Sequence, residues 1–271
     1  MFTYPDIDPI AFAFGPLQVR WYGLMYLGGF LLAWLGTRAR AKRPDSPISP
    51  ASVDDLVFYV ALGIILGGRI GYMLFYNLGS LLDSPLTVFK VWEGGMSFHG
   101  GLLGVLIAMG LFARHIKQPY FAVTDFVAPW VAPGLGLGRI GNFINGELWG
   151  AETNSDAFWA VIVDGVPRHA SQLYEAALEG LVLFLILWGF SLRPRPIPAV
   201  SALFLICYGI FRIAIEFVRL PDLHLNEVAD GYLAFGWLTM GQVLSLPMVL
   251  VGVMLFWFAY RARASVERRA Q

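Results

Sequence analysis

Residues 198–218 read PAVSALFLICYGIFRIAIEFV. The run is long enough for a hydrocarbon core, which takes about 20 apolar residues in helical form. Its only charged side chains, Arg212 and Glu216, stand four apart and so share one helix face. Comparable apolar runs lie at 21–37, 54–76, 98–113, 121–138, 173–191 and 242–260. Composition points the same way: 57% of the 271 residues are hydrophobic and 14% charged, against roughly 45–50% and 25% in soluble domains. Lipid must therefore solvate apolar surface that one core could not hide. The predicted fold is all-α, a polytopic integral membrane protein with about seven transmembrane helices, organised as a single membrane domain over 1–271.

Charge sets the expected orientation, because Lys and Arg collect in short cytoplasmic loops. Arg38, Arg40, Lys42 and Arg43 follow the first run, Arg114 and Lys117 the third, Arg193 and Arg195 the fifth, and Arg261, Arg263, Arg268 and Arg269 the seventh. This alternation predicts an outer N-terminus and a cytoplasmic C-terminus. Residues 1–19 lack Lys and Arg but carry Phe2, Phe12 and Phe14 among prolines, which reads as an outer interfacial segment and not a signal peptide. Outer loop regions are expected at 139–171 and 219–241. Basic and acidic residues both number 19, so the footprint a nucleic-acid partner needs is missing. Cys207 is the single cysteine, which excludes an intrachain disulfide and a cysteine-built metal centre. Between Ile206 and Tyr208 it reads as an inert small hydrophobe.

Intramembrane charge costs at least about 2.5–3.5 kcal/mol, so each ionisable residue within a span is a functional candidate. Four segments break the apolar pattern: Gly67 to Tyr72 around Arg69, Gly94 to Gly101 around His99, Gly138 to Gly150 with Arg139, Asn142, Asn145 and Glu147, and Tyr208 to Arg219. Plainer readings stand beside the functional ones. Arg69 could lock helices through a carboxylate, with its glycines serving close packing; Arg212 and Glu216 could neutralise each other; His99 alone could be an interfacial histidine. His115 reads as surface charge, and His224 falls in an outer loop. Gly134 to Gly138 lacks the strand and the Lys-Ser/Thr of a nucleotide loop.

Depth favours a site. At 1.5 Å per residue, Arg69 lies roughly 22 Å along its span and Arg212 roughly 20 Å along its own, both in the expected outer half. Tyr22, His99, Arg139 and His169 open or close their spans on that side. Arginines grouped at headgroup depth suit a phosphate-bearing lipid, since guanidinium binds phosphate bidentately and keeps its charge. No metal motif, serine elbow or aspartyl pair is present, and no cofactor is implied.

The segments Arg20 to Tyr26, Gly67 to Tyr72, Met96 to Gly101, Gly138 to Gly150, Arg168 to Glu175 and Tyr208 to Arg219 together resemble those of bacterial prolipoprotein diacylglyceryl transferases, with Gly138 to Gly150 as the family's signature. Ala170 departs from an expected proline, and the stretch from Gly150 to His169 is short. The resemblance implies transfer of diacylglyceryl from phosphatidylglycerol to the lipobox cysteine of a prolipoprotein signal peptide, at the outer leaflet of the bacterial inner membrane, with membrane lipids as surroundings. It implies catalytic roles for His99 as candidate base and for Arg139 and Arg212 as holders of the phosphate. Substrate-binding positions implied with them are Tyr22, Arg69, Asn142, Asn145, Glu147, Gly150, His169, Tyr208 and Glu216. A cationic site could itself favour the thiolate, leaving His99 structural or a proton relay. The alternatives are a lipid or anion transporter, which needs a polar path to both faces, and an intramembrane protease, which needs a nucleophile or an aspartyl dyad.

Overall fold

The computed structural model describes residues 2–5, 7–15, 17–220 and 232–269. His224, Asp230 and the 221–231 part of the 219–241 loop region lie outside them. The chain forms two compact units, residues 1–35 with 127–271 and residues 36–126. The structure is mostly helical. Among the described residues, six helices are long and apolar enough to cross a membrane: 50–75, 98–115, 120–144, 171–190, 199–216 and 240–263. Helix α1 (Trp21–Arg40) has 20 residues, roughly 30 Å of length, but its Trp, Tyr and Gly content dilutes its apolarity and it is not among the six.

In the 36–126 unit, α2 (Val53–Phe75) follows a 3₁₀ turn at Pro50–Ser52 capped by Ser49. Beyond α2 come a short helix α3 (Leu78–Asp83), 3₁₀ turns at Pro85–Phe89 and Val91–Glu93, and α4 (Phe98–His115). Helices α2 and α4 meet through glycine. A Cβ on Gly63 would lie 2.5 Å from the Gly104 carbonyl oxygen, one on Gly67 would lie 2.8 Å from the Gly104 Cα, and one on Gly71 would lie 2.7 Å from the Gly100 Cα. Lipid tails give two apolar helices no hydrophobic reason to associate, so backbone approach at small residues supplies the attraction instead. Ser97 caps α4, accepting from the Gly100 amide at 3.2 Å, while its own amide donates to the Gly68 carbonyl at 2.9 Å.

Helix α5 (Tyr120–Ile144) contains Pro129 and Pro133. Proline has no amide proton to give the carbonyl four residues earlier, which for Pro129 is that of Asp125. The Arg40 Nη1 donates to this carbonyl at 3.4 Å and to that of Phe126 at 3.0 Å, so a basic residue at a helix end also repairs a helix interior.

The larger unit adds what hydropathy does not report. Strand β1 (Phe2–Thr3) lies parallel to β4 (Ala160–Val163), which pairs antiparallel with β5 (Val166–His169); β2 (Ile10–Phe14) and β3 (Leu17–Arg20) form a hairpin that leads into α1. The run 171–190 is one continuous helix in three registers: α6 (Ser171–Glu175), a π segment at Ala176–Val182, and α7 (Leu183–Phe190). Helices α8 (Ala199–Glu216) and α9 (Met240–Arg269) pack closely at glycines, with Gly209 against Val249 and Gly252 against Ile206. The core between α5, α7 and α8 is Ala128, Ala132, Leu183, Leu187 and Val200, against which Cys207 rests partly buried.

Candidate active site

Three guanidiniums and three carboxylates converge in the larger unit. Arg139, in the last two turns of α5, places Nε 2.5 Å from the Glu175 Oε2 and Nη2 3.9 Å from the Glu179 Oε2. Arg212 on α8 donates from Nη1 to the Glu175 Oε1 at 3.2 Å, and its Nη2 lies 2.5 Å from the Glu216 Oε1. Arg219 follows, with Nη1 3.3 Å from the Glu216 Oε1 and Nε 3.7 Å from the Glu175 Oε1. The side chains of Glu175, Glu179 and Glu216 are each 2% exposed or less, those of Arg139 and Arg212 23% and 13%. The carboxylates are thus the sealed floor and the guanidiniums the reachable surface. Buried ion pairs contribute little net stability. What such pairs can do is hold charged forks in a fixed geometry at low dielectric, an arrangement chemically suited to an anion such as phosphate.

The π segment places this floor. It begins directly after Glu175 and contains Glu179, and at its far end Gly180 presses on Gly136 of α5, where a Cβ would lie 2.6 Å from the Gly136 Cα. Single-turn π segments mark functional positions in α-helices because the widened turn redirects side chains.

Glu216 is held from its other side by the start of α9. The Thr239 hydroxyl donates to the Glu216 Oε2 at 2.5 Å and accepts from the Gln242 amide at 3.2 Å, while the Gln242 Oε1 accepts from the Thr239 amide at 3.1 Å. Thr239-Met240-Gly241-Gln242 is therefore a capping box, and Glu216 sits where a helix N-terminus favours negative charge. Thr239→Ala is expected to remove the cap and one donor to Glu216, lowering stability by about 1–2 kcal/mol; thermal unfolding in detergent checks this.

The signature loop encloses its own carboxylate. Asn142 Nδ2 and Asn145 Nδ2 donate to the Glu147 Oε1 at 2.8 and 3.3 Å. The turn needs left-handed backbone at Gly146 and Leu148, and Gln172 Nε2 ties the Glu147 carbonyl at 2.5 Å. Gly150 has no room for a side chain, since a Cβ would lie 2.5 Å from the Val218 carbonyl oxygen and 2.8 Å from the His169 Cβ. Tyr22 packs on the same loop, its ring 2.8 Å from where a Gly141 Cβ would stand, and its hydroxyl is 3.1 Å from that of Tyr26. Tyr208 lies one turn before Arg212 and stacks on Phe204.

His169 closes β5, with Nδ1 3.3 Å from the Tyr174 hydroxyl, and shares an open cavity of about 410 Å³ with Trp159, Tyr174 and Val218. Burial pushes its imidazole below the ordinary histidine value, which favours the neutral ring, the form whose nitrogen can accept from Tyr174.

Arg69 and His99 belong to the 36–126 unit. The Arg69 guanidinium takes up neither a carboxylate nor an open position: it donates to the carbonyls of Thr87 at 2.7 Å, Val88 at 3.1 Å and Gly94. His99 is exposed on the first turn of α4, edge-on to Phe98 at 5.6 Å.

Glu175, Glu179 and Arg219 complete the cluster without having been singled out as site positions from the sequence. The signal available was arithmetic: arginines in lipid need carboxylates, and Glu175 and Glu179 are the acidic residues of the 173–191 run.

A family model described as prolipoprotein diacylglyceryl transferase matches residues 9–258. The chain is 58% identical over 264 residues to the phosphatidylglycerol–prolipoprotein diacylglyceryl transferase of Oleidesulfovibrio alaskensis, covering 96% of each chain. It is 57% identical over 269 residues to that of Methylococcus capsulatus, covering 98% of this chain and 100% of the other. It is 55% identical over 273 residues to that of Pseudomonas aeruginosa, covering both chains in full. On this end-to-end similarity, the chain belongs to the prolipoprotein diacylglyceryl transferase family.

Proposed function

We infer that this chain is a multi-pass inner-membrane enzyme that transfers the diacylglyceryl group of phosphatidylglycerol to the lipobox cysteine of a prolipoprotein. The observation that carries the reading is the Arg139–Glu175–Arg212 constellation, built in a chain so closely similar to transferases of that name. A thiolate sulfur attacks the glyceryl carbon, the S–C bond forms as the C–O bond breaks, and glycerol-1-phosphate leaves. The leaving phosphate gains negative charge, which fixed guanidiniums stabilise more in the transition state than in the ground state.

In this reading α1 is the seventh span, the N-terminus is outer and the C-terminus cytoplasmic, and 1–271 acts as one membrane domain. Arg139 and Arg212 hold the phosphate, Tyr208 and Tyr22 donate beside them, and Asn142, Asn145 and Glu147 shape the headgroup pocket around Gly150. Glu216 orients Arg212, while His169 lies with the lipobox peptide side of the site. His99 receives the thiol proton, a role worth roughly 10²–10⁴ in rate. Arg69 serves through the loop it holds.

The test is reconstitution with phosphatidylglycerol and a lipobox peptide bearing one cysteine. The expected result is a gain of one diacylglyceryl mass by the peptide, matched by glycerol-1-phosphate release and lost with a Cys-to-Ser peptide. Folded protein that yields neither product, while labelled phospholipid crosses the bilayer, would overturn the reading in favour of a transporter.

A further inference from the structure

Within the charge cluster, Glu179 stands apart from the other two carboxylates. Glu175 is engaged at both oxygens by Arg139 and Arg212, and Glu216 by Arg212, Arg219 and the Thr239 hydroxyl. Among the described residues neither oxygen of Glu179 has a hydrogen-bond partner, the side chain is 1% exposed, and the guanidinium nitrogen paired with it lies 3.9 Å away. A buried carboxylate with no donor is costly as an anion. It is the position where neutralisation sacrifices least.

The charge count gives this position a use. With every group ionised, Arg139, Arg212 and Arg219 balance Glu175, Glu179 and Glu216. A phosphodiester docking on Arg139 and Arg212 adds one negative charge to a site among membrane-spanning helices, and uncompensated charge there is expensive. The groups acting on Glu179 from the elements around it are Arg139 on α5, Glu175 on its own helix, Tyr208 and Arg212 on α8, and Arg219 just beyond the end of α8. The arginines are held by the better-bonded carboxylates.

We propose that Glu179 takes up one proton when the anionic headgroup of phosphatidylglycerol docks on Arg139 and Arg212, so that lipid binding is proton-coupled and the site stays neutral in both states. Glu179 is thus a positioning residue for the phosphate and touches no reacting atom. The inference rests on the transferase reading, since that supplies the phosphodiester.

The experiment titrates short-chain phosphatidylglycerol into the protein held in phosphatidylcholine nanodiscs, without peptide, from mildly acid to alkaline pH. The diester does not titrate in this range, so any slope belongs to the protein. Wild-type Kd is expected to rise with pH above the carboxyl's titration, approaching about tenfold per pH unit for one linked proton. Glu179→Gln, which is isosteric and permanently neutral, is expected to bind with a flat profile. Wild type supplies a second readout that needs no variant: in weakly buffered medium, binding should draw close to one proton per lipid, followed with a pH indicator. Equal slopes in the two proteins, or no proton uptake by wild type, overturn the inference while transfer activity persists. Absence of both transfer and lipid binding in folded wild type instead removes the transferase reading beneath it.

Discussion

Arg139→Ala is expected to reduce glycerol-1-phosphate release from reconstituted vesicles by about 10²–10³, the effect of losing one preorganised donor to a developing anion, worth roughly 2.7–4 kcal/mol. The geometry explains why the loss should fall on rate more than on folding. Glu175 keeps Arg212 when Arg139 is removed, so this buried carboxylate is not stranded. Glu179 gives up only a 3.9 Å ion pair and no hydrogen bond, and as an isolated carboxyl it can be neutralised by a proton. Arg139→Lys separates charge from shape: an ammonium can occupy one of the two carboxylate contacts but has no planar fork for phosphate, so it should recover only part of the activity. Near wild-type release by Arg139→Ala, at equal amounts of folded protein, would sink the assignment.

The second large effect concerns stability. Gly104→Val is expected to prevent α2 and α4 from meeting, because the Cβ alone would stand 2.8 Å from the Gly63 carbonyl carbon and 3.0 Å from the Gly67 Cα. Both obstacles are backbone, so no side chain can move aside. Overpacking of close-packed interiors costs about 1–3 kcal/mol and occasionally more, and a backbone clash belongs at the upper end. Ala at Gly189, where a Cβ meets nothing within 4 Å, is the control and should be neutral or slightly stabilising. Monodispersity and thermal unfolding in detergent read both variants. A Gly104→Val protein as stable as wild type would mean that the helices associate without the glycine contacts.

Much of this architecture is legible in the sequence, for a physical reason. A helix crossing lipid must be apolar over about 20 residues, so six of the seven runs located by hydropathy reappear as helices long and apolar enough to span, five of them with closely similar ends. Polar helix ends are less visible. Helix α5 continues from 138 to Ile144 because Arg139 and Asn142 find partners there, whereas hydropathy alone stops the span before them. The β4–β5 hairpin had a local signal in Asp164-Gly165, both with positive φ, a dipeptide suited to a tight hairpin turn. The π register at Ala176–Val182 had none, since its residues suit an ordinary helix equally well. Arginine, histidine and asparagine stood out against apolar surroundings, which led to Arg139, Arg212 and the signature loop. Glu175 and Glu179 did not, because two acids in a long apolar run scarcely lower its average. For Arg69, spacing left a carboxylate and a ligand open, and the partners the structure shows are carbonyls.

Those carbonyls also bear on how the protein is made. When α2 leaves the ribosome, its arginine has none of its partners, which lie 18 to 25 residues downstream. Until they are synthesised the guanidinium must stay at the aqueous boundary or carry the insertion penalty of a bare cation. The loop, once emerged, supplies the carbonyls, and Ser97 then fastens the start of α4 to Gly68 one residue away. Helix α2, the loop and the start of α4 are therefore the shortest stretch of chain that contains both Arg69 and all of these partners.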